Sequence, residues 1–489
     1  MANYNGCMMQ YFEWYLPGDS TLWKKVSSDS SHLANLGINY VWLPPSYKGA
    51  SGTNDVGYGV YDLYDLGEFN QKGAIPTKYG TKEEYLNAIK ELKEKNIKVL
   101  ADIVLNHKMG ADEIEEVLAV EDDANDRTVS VTSATPIKAW TKYTFPGRGD
   151  VYSSFKWDWT HFHGIDWDEN TRKVSIYKFY GKKWDEDVDK EKGNFDYLMG
   201  ADIDMNNNDV SNELIKWGKW YFETTHVDGF RLDAIKHIRA DFFPKWLEEI
   251  EDDLNEGKPI YTVGEYWSID VEVMKRYIEK TEEKIHLFDV PLHYNMYKAS
   301  ISNGEYNLSE IFDGTLVKER PDLAVTFVDN HDTEPGQALE SWIADWFKPH
   351  SYSLILLRKD GNPCVFYGDY YGIQEKGISA KTELLDKLLK VRKYFAYGDQ
   401  EDYLISKNVI GFTRKGDYEH PDSGLAVVMS DKEAGSVTMN LGKTHANTLF
   451  YDCLGNIEEK VYVDQNGDGV FACKEGSVSV WIKDGQYVN

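Results

Sequence analysis

Four apolar runs in the sequence end in polar residues able to do chemistry. They are Asp102-Ile-Val-Leu-Asn106-His107, Gly229-Phe-Arg231-Leu-Asp233-Ala-Ile-Lys236-His237, Gly264-Glu265-Tyr-Trp267 and Phe327-Val-Asp329-Asn330-His331-Asp332. Alone, any one of these residues reads more readily as a salt-bridged structural group; four at equivalent positions point to one site. The set consists of carboxylates with Arg and His, and no Ser or Cys stands in a strained elbow. Such groups suit acid/base and nucleophilic carboxylate chemistry on a sugar. Glycoside hydrolysis needs one carboxylic acid protonated at working pH and a second one ionised, and a spacing of about 5 Å gives retention through a covalent intermediate. Arg231, two residues before Asp233, points to the same strand face and keeps that carboxylate ionised. Tyr266 and Trp267 put apolar bulk beside Glu265 and favour its protonated form.

A second group is rich in oxygen. Asp185, Asp196, Asp202 and Asp204, with Asn106, offer the hard ligands that suit Ca²⁺; the alternative is a solvated acidic face. The run Asp464-Gln-Asn466-Gly-Asp468-Gly469, with Glu475 at the twelfth position, fits the EF-hand loop pattern. Its flanks, Lys460 to Val463 and Ser477 to Val480, read as strands where an EF-hand needs helices, so the segment is expected to be a plain turn. Rings cluster from Trp157 to Trp167 and at Trp184, where they line a groove that stacks on sugar faces or pack a core.

Positioning these residues requires a scaffold, and the hydrophobic pattern supplies one. Eight short β-rich segments recur: 7–14, 38–45, 97–106, 227–234, 260–267, 286–294, 323–329 and 363–367. Helical periodicity lies between them, as in 82–95, where Tyr85, Leu86, Ile89 and Leu92 repeat at three and four residues, and in 211–223. Eight such units predict an α/β fold, a closed (β/α)₈ TIM barrel whose active site lies at the C-terminal strand ends. The gap after the third strand exceeds any ordinary loop, so an inserted domain is expected there. Beyond about Ala396, alternating strands with turn signals predict a C-terminal antiparallel β-sandwich domain. The expected boundaries are 1–105 and 208–396 for the barrel, 106–207 for the insertion and 397–489 for the β domain.

Charge narrows the partners. The formal net charge is −28, which repels polyphosphate, so nucleic acid and anionic membranes are poor partners while a neutral substrate or bound cation fits. No apolar stretch reaches the roughly 18 residues of a membrane span. The start, Met1-Ala-Asn-Tyr-Asn-Gly-Cys7, lacks the pattern of a signal peptide, and four scattered cysteines suggest no disulfide framework. A cytoplasmic monomer is expected, the alternative being a secreted protein whose leader has been removed.

The four runs resemble, in order and spacing, the four signature regions of the α-amylase family, glycoside hydrolase family 13. Val41-Trp-Leu-Pro-Pro45, Gly57-Tyr-Gly-Val-Tyr-Asp-Leu-Tyr-Asp-Leu-Gly-Glu-Phe69, Asp196-Tyr-Leu-Met-Gly-Ala-Asp-Ile-Asp204 and Val365-Phe-Tyr-Gly368 extend the likeness over nearly the whole chain, toward the bacterial liquefying enzymes and their cytoplasmic relatives. The resemblance implies Asp233 as nucleophile, Glu265 as general acid/base and Asp332 as the residue that distorts and stabilises the sugar. It further implies that Tyr58 stacks on the sugar, that His107 and His331 bond its hydroxyls, and that Lys236 and His237 reach the leaving-group side. Arg231 is counted with these substrate-binding residues. A structural Ca²⁺ on Asn106, Asp196, Asp202 and the carbonyl of His237 is also implied, with Asp185 and Asp204 nearby. His163 and Asn206 depart from the aspartates of the liquefying enzymes, so one calcium site is expected. The implied activity is endo-acting, retaining hydrolysis of α-1,4-glucosidic bonds in starch, glycogen or maltodextrins. A 4-α-glucanotransferase and a non-catalytic glucan-binding protein remain the alternatives.

Overall fold

The computed structural model describes residues 5–486. Eight parallel strands close into a barrel: β1 (Cys7–Gln10), β2 (Ile38–Leu43), β3 (Lys98–Ile103), β4 (Gly229–Leu232), β5 (Tyr261–Gly264), β6 (His286–Phe288), β7 (Ala324–Phe327) and β8 (Asn362–Phe366). Seven of the eight expected segments contain one of these strands, and the eighth, 363–367, overlaps β8, which starts one residue earlier. The sixth is shorter than expected, because Asp289 accepts the N–H of Leu292 and caps a helix, Val290–Ile301, with Pro291 in its first turn. Tyr294 therefore sits on a helix and not on the strand.

The helices between the strands form for local reasons. Thr81 and Glu84 make a reciprocal capping box at the start of Lys82–Glu94, whose buried face is Tyr85, Ala88, Ile89 and Leu92. Asn207 caps Asn208–Thr225, which buries Val210, Leu214, Trp217 and Tyr221. Trp217 is fully buried, and truncating such a ring costs about 3–5 kcal/mol.

Between β3 and β4 the chain builds a six-stranded antiparallel sheet in the order His107–Lys108, Ala201–Ile203, Phe162–Asp168, Lys173–Phe179, Glu113–Asp122, Thr135–Lys142. Its first strand begins at His107, four residues past the end of β3, so this sheet is anchored beside the barrel mouth. After the barrel, an antiparallel sheet of six strands and a two-stranded partner form the C-terminal β structure. The Asp464–Gly469 segment is a turn, with Asp464 accepting the N–H groups of Asn466 and Asp468 before the strand Asp468–Cys473. Among the described residues, no helix is long and apolar enough to cross a membrane.

Candidate active site

Parallel register sets the site. In β4, Arg231 lies opposite Asp102 of β3, and Leu232 lies opposite Gly264 of β5, so Asp233 and Glu265 follow side by side at the strand ends. This pairing requires glycine at 229, where a Cβ would stand 2.2 Å from the carbonyl oxygen of Tyr261. Just past Asp233 the chain turns at Ala234, a non-glycine residue at φ 52°, and its N–H donates to Oε2 of Glu265 at 3.2 Å. A residue held in this sparsely populated region stores strain next to the reacting groups.

Arg231 is the hub. Its Nη1 is 2.9 Å from Oδ1 of Asp102 and 2.5 Å from Oδ1 of Asp233, while Nη2 is 2.9 Å from Oε2 of Glu265. The guanidinium is fully buried beneath these carboxylates, so it organises the acids without facing the cleft. Asp102 in turn accepts from Trp42 Nε1 at 2.9 Å and Tyr58 Oη at 2.8 Å. Burial pushes Glu265 up to about 8; Arg231 opposes the shift, and Asp233 and Asp332 add to it. Burial is thus the main cause, rather than the neighbouring rings alone.

Above these groups runs a cleft of about 1040 Å³, lined by Asp233, Glu265 and Asp332 and also by Tyr58, His107, Lys236, His237 and His331. Tyr58, His331 and Trp14 stand nearly parallel: Tyr58 and His331 are 4.9 Å apart at 5°, and Trp14 is 6.1 Å from each. Nε2 of His107 donates to the carbonyl of Tyr58 at 2.8 Å, and Gln10 Nε2 donates to Nδ1 of His331 at 3.0 Å. Burial lowers the pKa of both rings, with Arg231 adding to the effect at His331. Lys236 pairs with Glu191 at 3.0 Å and donates to the carbonyl of Trp267 at 3.1 Å. His237 donates from Nδ1 to the carbonyl of Phe195 at 2.6 Å, and burial, then Lys236, push it down to about 3, so it is neutral. The stretch 187–195 of the insertion supplies one wall of the cleft and is tied down by Tyr266 donating to Asp189 at 2.5 Å.

The acidic group lies beside this wall. Asn106, Asp185, Asp196, Asp202 and Asp204 are all buried, and His163 stands among them. Nδ1 of His163 is 3.0 Å from Asp202 and 3.1 Å from Asp196, and Nε2 is 3.0 Å from Asp204. Burial alone would lower the pKa of this imidazole, but its bonds to three carboxylates raise it well above the usual value. His163, Asp196 and Asp202 can each turn a ligand atom to within 4.8 Å of the others, a group able to hold a metal ion. Burial and then Asp196 raise the carboxyls of Asp185 and Asp202, the former to about 6. Among the described residues Oδ2 of Asp185 has no hydrogen-bond partner, while its other oxygen accepts from Asn206. Crowded, partly unpaired buried carboxylates fit a hard cation.

Several cleft residues carried no assigned role in the sequence. Trp14 and the stretch around Asp189 belong to no signature run, whereas Asp102 was detectable as a carboxylate in an otherwise apolar strand. Trp157 and Trp184 are buried packing residues, and Trp167, half-buried, donates to Glu169 at 2.8 Å outside the cleft lining.

A (β/α)₈ barrel with two carboxyl groups joined by one arginine, a third across the cleft and a long channel above them has the make-up of a carboxylate glycosidase. Residues 22–401 match the family model for the alpha-amylase catalytic domain, and residues 425–482 match the alpha-amylase C-terminal model. An alpha-amylase of Geobacillus stearothermophilus is 54% identical over 98% of this chain and 87% of its own length. A cytoplasmic alpha-amylase of Escherichia coli is 46% identical over 98% of this chain and 99% of its own. The crystal structure of an alpha-amylase from Geobacillus thermoleovorans complexed with acarbose aligns with a TM-score of 0.65 at 16% identity, over 99% of this chain and 98% of that one, a likeness of fold. The chain belongs to the α-amylase family of glycoside hydrolases.

Proposed function

We propose that this enzyme is an endo-acting α-amylase that hydrolyses internal α-1,4-glucosidic bonds of starch, glycogen or maltodextrins with retention. The observation that carries the mechanism is the shared guanidinium of Arg231, which draws Asp233 and Glu265 together at the floor of the cleft. One guanidinium holding both carboxyls favours the close spacing of a double displacement over the wider spacing, about 6.5–9.5 Å, that admits a water between them.

Glu265, protonated at neutral pH, donates its proton to the leaving glycosidic oxygen as Asp233 attacks the anomeric carbon. The bond to the leaving sugar breaks and a glycosyl ester of Asp233 forms. Glu265, now ionised, takes a proton from water, and the hydroxide adds to the anomeric carbon and releases Asp233. Asp332 faces the same space and stabilises the distorted ring. Tyr58 stacks on the sugar, His107 and His331 bond its hydroxyls, and Lys236 and His237 serve the leaving-group side. Arg231 keeps the acids in place from below.

The acidic group fits one Ca²⁺ held by Asn106, Asp196, Asp202 and the carbonyl of His237, with Asp185 and Asp204 around it. Such an ion would fasten the insertion to the barrel. The chain divides at 1–105 and 208–396 (barrel), 106–207 (insertion) and 397–489 (C-terminal domain). A cytoplasmic enzyme acting on α-glucan is the reading that the name of the relative from Escherichia coli supports, and a monomer is proposed with it. Digestion of amylose with product sizing and proton NMR of the first-formed anomer tests the function: short α-anomeric oligosaccharides are expected. β-anomers refute retention, and longer chains made from maltoheptaose show transfer instead of hydrolysis.

A further inference from the structure

Two carboxylic acids that take no part in the mechanism lie behind the Trp14 side of the cleft. Glu334, fully buried, accepts the N–H of Trp14 on Oε1 at 2.8 Å; among the described residues its Oε2 has no hydrogen-bond partner. Glu13, also buried, accepts the N–H of Tyr15 on Oε2 at 2.5 Å. The same two segments are joined again where Tyr15 Oη donates to the carbonyl of Pro335 at 2.8 Å and Gln337 Nε2 donates to Tyr15 Oη at 2.7 Å. The loop leaving β1 is thereby clamped to the loop leaving β7, which carries Asp332. The ring projecting from this clamp is Trp14, parallel to Tyr58 and His331.

We propose that Glu334 is a positioning residue for glucan binding: together with the Tyr15 hydroxyl it fastens the backbone of Trp14 to the β7 loop and so holds the wall formed by Trp14, Tyr58 and His331. The inference rests on the α-glucan reading of the cleft.

The chemistry makes this clamp conditional on one proton. Two ionised carboxylates in a dry space repel one another, and a buried acid lacking a cation partner keeps its proton instead. The charged groups that bear on the pair are Lys78 from the loop after β2, Asp329 and Asp332 from the β7 loop, and Glu375 beyond β8. Lys376, from that same region, lies 4.2 Å from the centre of the Tyr15 ring. Burial, opposed by the Tyr15 N–H and Lys78, puts Glu13 at about 7; burial and then the charge of Glu13 push Glu334 up to about 9. Glu334 is therefore uncharged below that pH, and its ionisation above it drives the two loops apart.

Maltoheptaose binding, followed by calorimetry at pH 8 and pH 10 in a Glu265→Gln background that cannot turn over, tests this. Affinity is expected to fall about tenfold over that interval, the scale of one lost aromatic contact. Adding Glu334→Gln, which keeps an oxygen for the Trp14 N–H but cannot ionise, should cut the loss to below about twofold; groups that titrate near pH 10 elsewhere are common to both proteins. Equal losses in the two proteins, or no loss in the first, overturn the inference, whereas absence of binding at pH 8 overturns the glucan reading itself. If Glu334→Gln does not fold, Trp14→Ala in the same background serves: weak, pH-independent binding is expected, and a persisting tenfold loss refutes the clamp.

Discussion

Replacing Arg231 with Met keeps the length of the side chain and removes its charge. The guanidinium is fully buried and touches Asp102, Asp233 and Glu265 at 2.9, 2.5 and 2.9 Å. Removing one partner from a buried ion pair costs about 3–5 kcal/mol, because the remaining charge is left without compensation. Unfolding entropy of about 2.1 cal/mol/K per residue, taken over the chain, is roughly 1 kcal/mol/K, so Tm should fall by about 3–5 °C at pH 7. The loss also depends on pH. Without the guanidinium, a carboxyl of this cluster keeps its proton in the folded protein at pH values where the unfolded chain has released it. A carboxyl raised in this way costs nothing near pH 4 and costs about 1.4 kcal/mol more for each pH unit up to its folded pKa. The gap between variant and parent should therefore shrink by about 3 °C when pH drops from 7 to 5. Differential scanning calorimetry of both proteins at pH 5, 6 and 7 measures it. A Tm within about 1 °C of the parent at pH 7, or a gap that widens toward acid, would refute the role of Arg231 as the buried counter-charge of the cluster.

Three further outcomes are expected. Asp233→Asn should abolish turnover while maltoheptaose still binds by calorimetry; substantial residual hydrolysis would remove Asp233 from the nucleophile's role. As Glu265 must hold a proton to act as acid, kcat/KM should fall as pH rises through about 8, and a pH profile on a chromogenic maltoheptaoside that already declines below pH 6 would contradict the burial argument. A chelator should lower Tm by several degrees and Ca²⁺ should restore it, whereas Asp196→Ala should show a lowered Tm that no longer responds to either; equal responses in both proteins would place the ion elsewhere.

The sequence alone singled out the groups proposed to react. Asp233, Glu265 and Asp332 each end an apolar run, and a residue at the end of a buried parallel strand has few places to go but the barrel mouth. The eight segments were legible for the same reason: strands buried on both faces read as continuous apolar runs. Where a strand stops was less legible, since apolar residues recur on both sides of Asp289 in 286–294 and the capping bond from Asp289 converts the second half into helix.

Tertiary structure decided what those groups can do. Asp102 lies on β3, Arg231 on β4 and Glu265 just past the end of β5, and the register across these strands, not their spacing in sequence, puts one guanidinium against three carboxyls. The pull of burial on Glu265, the seat of His163 among Asp196, Asp202 and Asp204, and the clamp of Glu334 on Trp14 are likewise contacts between distant segments. Residue type travels with the sequence; distance and dielectric, which set charge state and reactivity, exist only once the chain has closed on itself.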